Sequence, residues 1–173
     1  MRGLAGVLGE GDALLENAPG SVVAVKTADC VPILLVDPGQ RAVAAVHAGW
    51  RGTVAEIVRH AIEHMRREFG SAPDAMHAAL GPAIGPCCYE VGPDVAGYFP
   101  QDRLDQAGRD GRARVDLVGA NRRQLLAAGV PAAHIYTAGL CTMCLPAQFH
   151  SYRRDKQAAG RMFSFAGLRH AVE

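Results

Sequence analysis

Long hydrophobic runs are missing from this 173-residue chain. None approaches the roughly 18 residues of a membrane span, so a membrane partner is not expected. A surplus of charge of one sign is missing too. There are 18 Lys and Arg against 17 Asp and Glu, a net charge of +1, and no field that would gather nucleic acid or an anionic membrane surface. The stretch Met1 to Gly20 lacks the basic-then-apolar layout of a signal peptide. The five cysteines are an odd number, and a chain of this length does not need disulfide staples. They read as reduced thiols in a cytoplasm.

What is present is enough for one core. The chain is 49% hydrophobic, and a chain of this size buries roughly 70% of the surface its unfolded form exposes. Length argues for a single domain over residues 1–173. Residues 21 to 36, SVVAVKTADCVPILLV, read as two buried strands joined by a polar connector, Lys26 to Cys30. Asp37-Pro38-Gly39-Gln40 is a turn, and Arg41 to Ala48 is a return strand that makes a hairpin. Thr53, with Glu56 three residues on, predicts a capping box opening a helix from Val54 to Phe69, which Gly70 stops. Met76 to Leu80 predicts a strand, and Asp94 to Phe99 a short helix. Gln101 to Arg112 predicts a polar loop. Asp116 to Ala128 predicts a helix with Leu117, Leu125 and Leu126 on its apolar side. His134 to Leu140 predicts another strand, and Ser164 to Leu168 is expected to close the sheet. Hairpins mixed with strand–helix alternation predict an α/β-type (α+β) fold with mixed sheets.

Chemistry can sit in five places. Cys30, after Asp29, and His47 fall on adjacent strands of the hairpin, where cross-strand Cβ atoms come within about 5.5 Å. A thiol beside an imidazole is a nucleophile with its base, or two ligands of a zinc ion. A buried core cysteine is the plainer alternative. His47 to Gly52, HAGWRG, offers glycines for close approach, Arg51 for a phosphate or carboxylate, and a following helix with free N–H groups. Gly81 to Glu90, GPAIGPCCYE, is a loop held by Gly and Pro. Its adjacent Cys87 and Cys88 have the wrong spacing to complete a metal site with the Cys141-Thr142-Met143-Cys144 CxxC. The CxxC is a signal for zinc or redox chemistry, with buried thiols weighed above metal. Arg153, Arg154 and Arg161 share a polar segment suited to an anion, or form a solvated charged edge. His60, His64, His77, His134 and His170 stand without partners. His60 and His64 are i, i+4 neighbours without the glutamate of HExxH, and read as surface.

These features occur together and in order: KTADCVP at 26–32, VHAGWRGT at 46–53, GPAIGPCCYEVG at 81–92, DL and Asn121 at 116–121, and CTMC through FHSYRRD to GRM at 141–162. The series resembles the YfiH-like family, also known as purine nucleoside phosphorylases and as multicopper polyphenol oxidoreductases. The resemblance implies a YfiH-like cysteine-hydrolase fold, with mixed β-sheets covered by helices. It also implies a metal, zinc (copper by the family's naming), held by one Cys and two His. Carried onto this chain, two ligands are Cys30 and His47. The second family His lies upstream of the Gly11-Asp12-Ala13-Leu14 stretch. Met1 to Glu10 contains no His, so the domain reads as short at its N-terminus.

The resemblance implies phosphorolysis of adenosine, inosine, guanosine and methylthioadenosine, and deamination of adenosine. The partners would be a purine nucleoside and phosphate, and the oligomeric state is left open. Cys30, His47 and Arg51 would be catalytic, with Asp29, Arg153 and Arg154 binding substrate. A laccase-type copper centre fits poorly, since the seven His include no His-x-His. Two rival readings stand beside this one. The first is a Cys-His amide hydrolase editing peptidoglycan precursors. The second is an inactive, truncated relative that binds a nucleotide.

Overall fold

The two apolar stretches on either side of the Asp37 turn fold back on each other, and the remaining elements are arranged around that hairpin. The computed structural model of the chain describes residues 11–100, 102 and 111–170. In chain order the elements are β1 (Ala13–Glu16), β2 (Val22–Thr27), β3 (Val31–Asp37), β4 (Ala42–Ala48), α1 (Trp50–Val54), α2 (Ile57–Phe69), β5 (His77–Leu80), β6 (Glu90–Val91), α3 (Pro93–Ala96), β7 (Ala113–Arg114), α4 (Leu117–Ala127), β8 (Ile135–Thr137), α5 (Tyr152–Asp155) and β9 (Met162–Gly167).

The main sheet has five strands in the order β1-β4-β3-β5-β8. Its pairs are antiparallel except β5 with β8, which are parallel. The fold is therefore a mixed α+β arrangement. The β3–β4 turn is tied by Asp37, whose Oδ1 accepts the N–H groups of Gly39 at 2.9 Å and Gln40 at 3.1 Å.

Both faces of the β3–β4 hairpin are covered, which is why these strands read as continuous apolar runs rather than as alternation. On one face Val31, Ile33, Leu35, Ala44 and Val46 pack with Val58, Ile62 and Met65 of α2 and with Leu117 and Leu125 of α4. Each fully buried Leu, Ile or Val contributes about 1.5–3 kcal/mol. On the other face Val43 and Ala45 meet Val23 and Val25 of β2.

The C-terminal strand does not close the main sheet, as its sequence predicts. β9 pairs antiparallel with β2, Val22 opposite Gly167 and Thr27 opposite Met162, as a separate two-stranded ribbon. The ribbon lies over one face of the hairpin, so its outer side meets water. Phe163 and Phe165 of β9 are exposed there.

The first helix also departs from expectation. Trp50–Val54 is already helical, with Gly49 as its N-cap, and Glu56 breaks the path with a left-handed φ of 55° before α2 begins at Ile57. Thr53 is not a cap. It is buried, and its Oγ1 accepts a hydrogen bond from Asn121 Nδ2 at 2.9 Å. A tertiary partner outcompetes the local capping box. Gly70 ends α2 with a left-handed φ of 72°, as its position predicts. Asp116 caps α4, accepting from the N–H of Gly119 at 2.9 Å. His60 and His64 are exposed. His77 and His134 are not partnerless: their rings stack at 4.2 Å. The predicted 101–112 loop lies outside the described residues apart from Asp102, Gly111 and Arg112.

Candidate active site

The β3–β4 register sets Pro32 opposite His47. Cys30, two residues before Pro32, therefore arrives beside the imidazole and acts on its charge. On the other side of β4, the backbone N–H of His47 donates to the carbonyl of Asp12 at 2.7 Å, extending the β1–β4 ladder. That places Asp12 Oδ1 2.8 Å from His47 Nδ1. Cys30 raises the imidazole most, burial opposes it, and Asp12 adds to it; together they push His47 up from 6.5 to about 9. Sequence reading brings Cys30 and His47 together but assigns Asp12 no role. Nothing local signals a contact between residues 35 positions apart.

Two backbone features hold Cys30 in place. Gly49 passes so close that a Cβ there would stand 3.0 Å from Cys30 Sγ, so a side chain at this position would press on the thiol. Asp29 takes a left-handed φ of 86°, a region that Asp enters more readily than most residues. Its carbonyl accepts from the N–H of Ile84 at 2.9 Å. Its carboxylate accepts from Thr142 Oγ1 and from the backbone N–H of Arg153, each at 2.6 Å. Both oxygens of Asp29, expected to contact substrate, are thus engaged within the protein.

The cations divide into two groups. Arg51 is exposed, with its guanidinium 4.4 Å from the Trp50 ring centroid. Arg153 lies 5.3 Å from the Tyr89 ring centroid, and its Nη1 donates to the Glu90 carbonyl at 2.7 Å. Burial pushes the Tyr89 hydroxyl up to about 12, with Cys30 adding to the rise and Arg153 and Arg51 opposing it. Arg154 is different. Nε and Nη2 donate to Asp155, Nη1 to the carbonyls of Thr142 and Met143, and Nη2 also to that of Phe149. All five of its N–H donors are used inside the protein, so its expected role in substrate binding has no free donor to rest on. The anion cradle expected behind Thr53 is absent as well, because α1 starts earlier and is only five residues long.

A groove of about 260 Å³ opens beside this site, lined by Asp12, Leu14, Lys26 and His47 among others. That is just under the ~300–1,000 Å³ of ligand pockets, enough for part of a ligand. Another cavity, of about 530 Å³, lies between Thr53, Tyr98 and Arg123, and includes neither Cys30 nor His47. It gathers no nucleophile with a base. The chemistry points to Cys30 and His47.

The cysteine loops correct the sequence reading outright. The sulfurs of Cys87, Cys88, Cys141 and Cys144 all lie within 4.8 Å of one another. Cys144 Sγ is 3.6 Å from Cys87 Sγ and 3.4 Å from Cys88 Sγ. Cys87 and Cys144 are exposed rather than buried. The spacing argument fails because Gly85 folds the loop. Its carbonyl accepts from both Cys88 and Tyr89 at 2.9 and 3.0 Å, which turns both adjacent thiols toward the CxxC. Burial holds the Cys88 thiol up, and burial and the neighbouring sulfurs hold Cys87 up. Burial acts the same way on Cys141, but the N–H groups of Gly85 and Cys144 outweigh it and bring the thiol down to about 7. Four sulfurs so placed can hold a metal ion.

Comparison with known proteins agrees with this architecture. Residues 3–169 match the family described as multi-copper polyphenol oxidoreductase laccase. The chain is 45% identical over 161 residues to a protein of Deinococcus radiodurans named purine nucleoside phosphorylase, covering 92% of this chain and 62% of that one. It is 43% identical over 159 residues to adenosine deaminase RL5 from an unknown prokaryotic organism, covering 88% of this chain and 60% of that one. The crystal structure of the hypothetical protein YfiH of Bacillus licheniformis superposes with a TM-score of 0.84 at 38% identity, over 91% of this chain and 61% of that one. The chain thus spans about 60% of the length of the relatives it matches.

Proposed function

This chain belongs to the multi-copper polyphenol oxidoreductase laccase family, and on that premise we propose that it acts on purine nucleosides as a phosphorylase, with adenosine deamination as a second reaction. The observation that carries the reading is the placing of His47 beside Cys30, with the Arg153 guanidinium over the ring of Tyr89. The names of the relatives supply the substrate class. Adenosine, inosine, guanosine and methylthioadenosine are the candidate substrates. In phosphorolysis a phosphate oxygen bonds to C1′ of the sugar as the bond from C1′ to the base nitrogen breaks, and the base leaves with a proton. Arg51 and Arg153 would receive the phosphate, since each keeps guanidinium N–H groups not committed to a carboxylate. Asp29 would act as a positioning residue, its carboxylate tying Thr142 and the backbone of Arg153 to the segment that carries Cys30.

A thiolate sulfur and an imidazole nitrogen suit zinc, but a catalytic zinc keeps three protein ligands. Among the described residues, three or more donors gather only in the four-cysteine group. Cys30 and His47 alone therefore do not complete a catalytic zinc site. Where a third donor is supplied, the ion would polarise a substrate oxygen.

A second reading has its own support. Asp12, His47 and Cys30 form a continuous carboxylate–imidazole–thiol chain, the arrangement of a Cys-His hydrolase. Its substrate would be an amide, such as a peptidoglycan precursor.

The deciding experiment is purine release from adenosine and inosine in phosphate buffer, with Cys30→Ala and His47→Ala alongside. The phosphorylase reading expects turnover by the unmodified chain and a loss of about 100-fold or more in each variant. Turnover that survives either substitution would remove Cys30 and His47 from the reaction. Absence of turnover together with substrate-protected alkylation of Cys30 would move the assignment to the hydrolase.

A further inference from the structure

We propose that Cys87, Cys88, Cys141 and Cys144 form a tetrahedral zinc site, separate from Cys30 and His47, that clamps together two loops bordering the candidate active site. The geometry carries the inference. Zinc–sulfur bonds of about 2.3 Å in a tetrahedron place the sulfurs about 3.8 Å apart. The sulfurs of Cys87 and Cys88 already stand 3.6 and 3.4 Å from that of Cys144, and all four lie within 4.8 Å of one another. An ion at the centre needs only small side-chain adjustments.

The surroundings are built for thiolates. The Gly85 N–H donates to Cys141 Sγ at 3.2 Å, the kind of second contact that tunes a metal-bound sulfur. A Cβ at Gly85 would meet Cys87 Sγ and Cys141 Cβ, each at 3.2 Å, so the glycine keeps the space the sulfurs occupy. The two loops already run side by side. Ala83 and Cys141 form a bridge, and the N–H of Thr142 donates to the Ala83 carbonyl at 3.0 Å. Cys87 and Cys144 are exposed, which gives an ion a way in. Four thiols in a closed set with no nitrogen or oxygen donor suit a structural ion rather than a catalytic one, and zinc is the divalent ion that takes this set without redox chemistry. As the four zinc–sulfur bonds form, any thiol still protonated releases its proton to solvent.

The position gives the site a purpose. Thr142 lies between two of the ligands and donates to Asp29, and Tyr89 follows Cys88 directly. Zinc would hold both against the segment that carries Cys30. This inference does not rest on the nucleoside reading, and its test is independent of turnover.

The experiment uses the Cys30→Ala chain, which removes the other candidate site, purified under reducing conditions without chelator. Elemental analysis is expected to find about one zinc per chain. A mercurial thiol reagent is expected to release it, and cobalt exchanged into the site should show the visible and thiolate charge-transfer bands of tetrahedral sulfur coordination. Cys141→Ser with Cys144→Ser, in the same background, is expected to lower zinc content by about 10-fold or more. Zinc well below one per chain, recovery of the four cysteines as disulfides, iron in place of zinc, or zinc retained by the double variant would each overturn the proposal. If the double variant does not fold, the stoichiometry and cobalt spectrum of the Cys30→Ala chain decide alone.

Discussion

Nδ1 of His47 lies 2.8 Å from Oδ1 of Asp12, and the Cys30 thiol also acts on the ring. The imidazole is thereby held by two groups that favour its charged form, with Cys30 the stronger influence and Asp12 the weaker. In metal-free protein, His47 followed by NMR is expected to titrate near 9. Cys30→Ala is expected to lower that midpoint more than Asp12→Asn does. The reverse order would mean that the carboxylate, not the thiol, controls the ring.

The same shift has a consequence for stability. Because the pKa is raised on folding, the contribution is complete below about 6.5, the unfolded value, and is lost as pH rises through about 9. The urea midpoint of metal-free protein should exceed that of His47→Gln by a margin that shrinks between these values. The side chains of His47 and Asp12 are 33% and 60% exposed, so the margin will be small. A margin that widens toward high pH would contradict the assignment.

Gly49 can be tested against Cys30 directly. A Cβ at position 49 would stand 3.0 Å from Cys30 Sγ, and the contacted atom is the reactive one. Gly49→Ala should therefore slow alkylation of Cys30 and depress activity, with a loss of stability of only about 1 kcal/mol. Gly52→Ala is the control: its nearest contact is the Ile57 side chain at 3.3 Å. Equal effects of the two substitutions on Cys30 alkylation would remove the special role of Gly49.

The parts of this molecule that are legible in sequence are those decided locally. The Asp37 turn and the end of α2 at Gly70 each follow from a residue acting on neighbours within a few positions. The pairing of Cys30 with His47 is legible because a single hairpin carries both. The contacts that escape are set by packing between distant segments. Thr53 looks like a helix cap until Asn121 claims its hydroxyl. Cys87 and Cys88 look unsuited to the CxxC until the Gly85 turn points them at it. Asp12 becomes a partner of His47 only through the register of β1 against β4.

Asp29 should matter more to stability than an ordinary polar residue. It is buried, it takes a left-handed φ of 86°, and its carboxylate receives two 2.6 Å hydrogen bonds. Asp29→Ala leaves the Thr142 hydroxyl and the Arg153 N–H without an acceptor and keeps the unfavourable backbone. A loss of about 3 kcal/mol in urea unfolding is expected. Thr142→Val removes one of the two bonds and should cost about half as much. If Asp29→Ala is neutral, the carboxylate is not the tie between Cys30 and the 142 and 153 segments.

The adjacent arginines should separate cleanly. Arg154 spends all five donors on Asp155 and on the carbonyls of Thr142, Met143 and Phe149. Lysine cannot reproduce that planar fork, so Arg154→Lys is expected to lower the urea midpoint. Once the protein is folded, its KM for phosphate should stay close to the original. Arg153 spends one guanidinium nitrogen on the Glu90 carbonyl and rests over Tyr89. Because its backbone N–H, not its side chain, serves Asp29, Arg153→Ala leaves that bond in place. Arg153→Ala should therefore raise the KM for phosphate about 10-fold or more at little cost in stability. A phosphate effect that falls on Arg154 instead would show that its internal bonds open when substrate arrives, and would reverse the roles given to the pair.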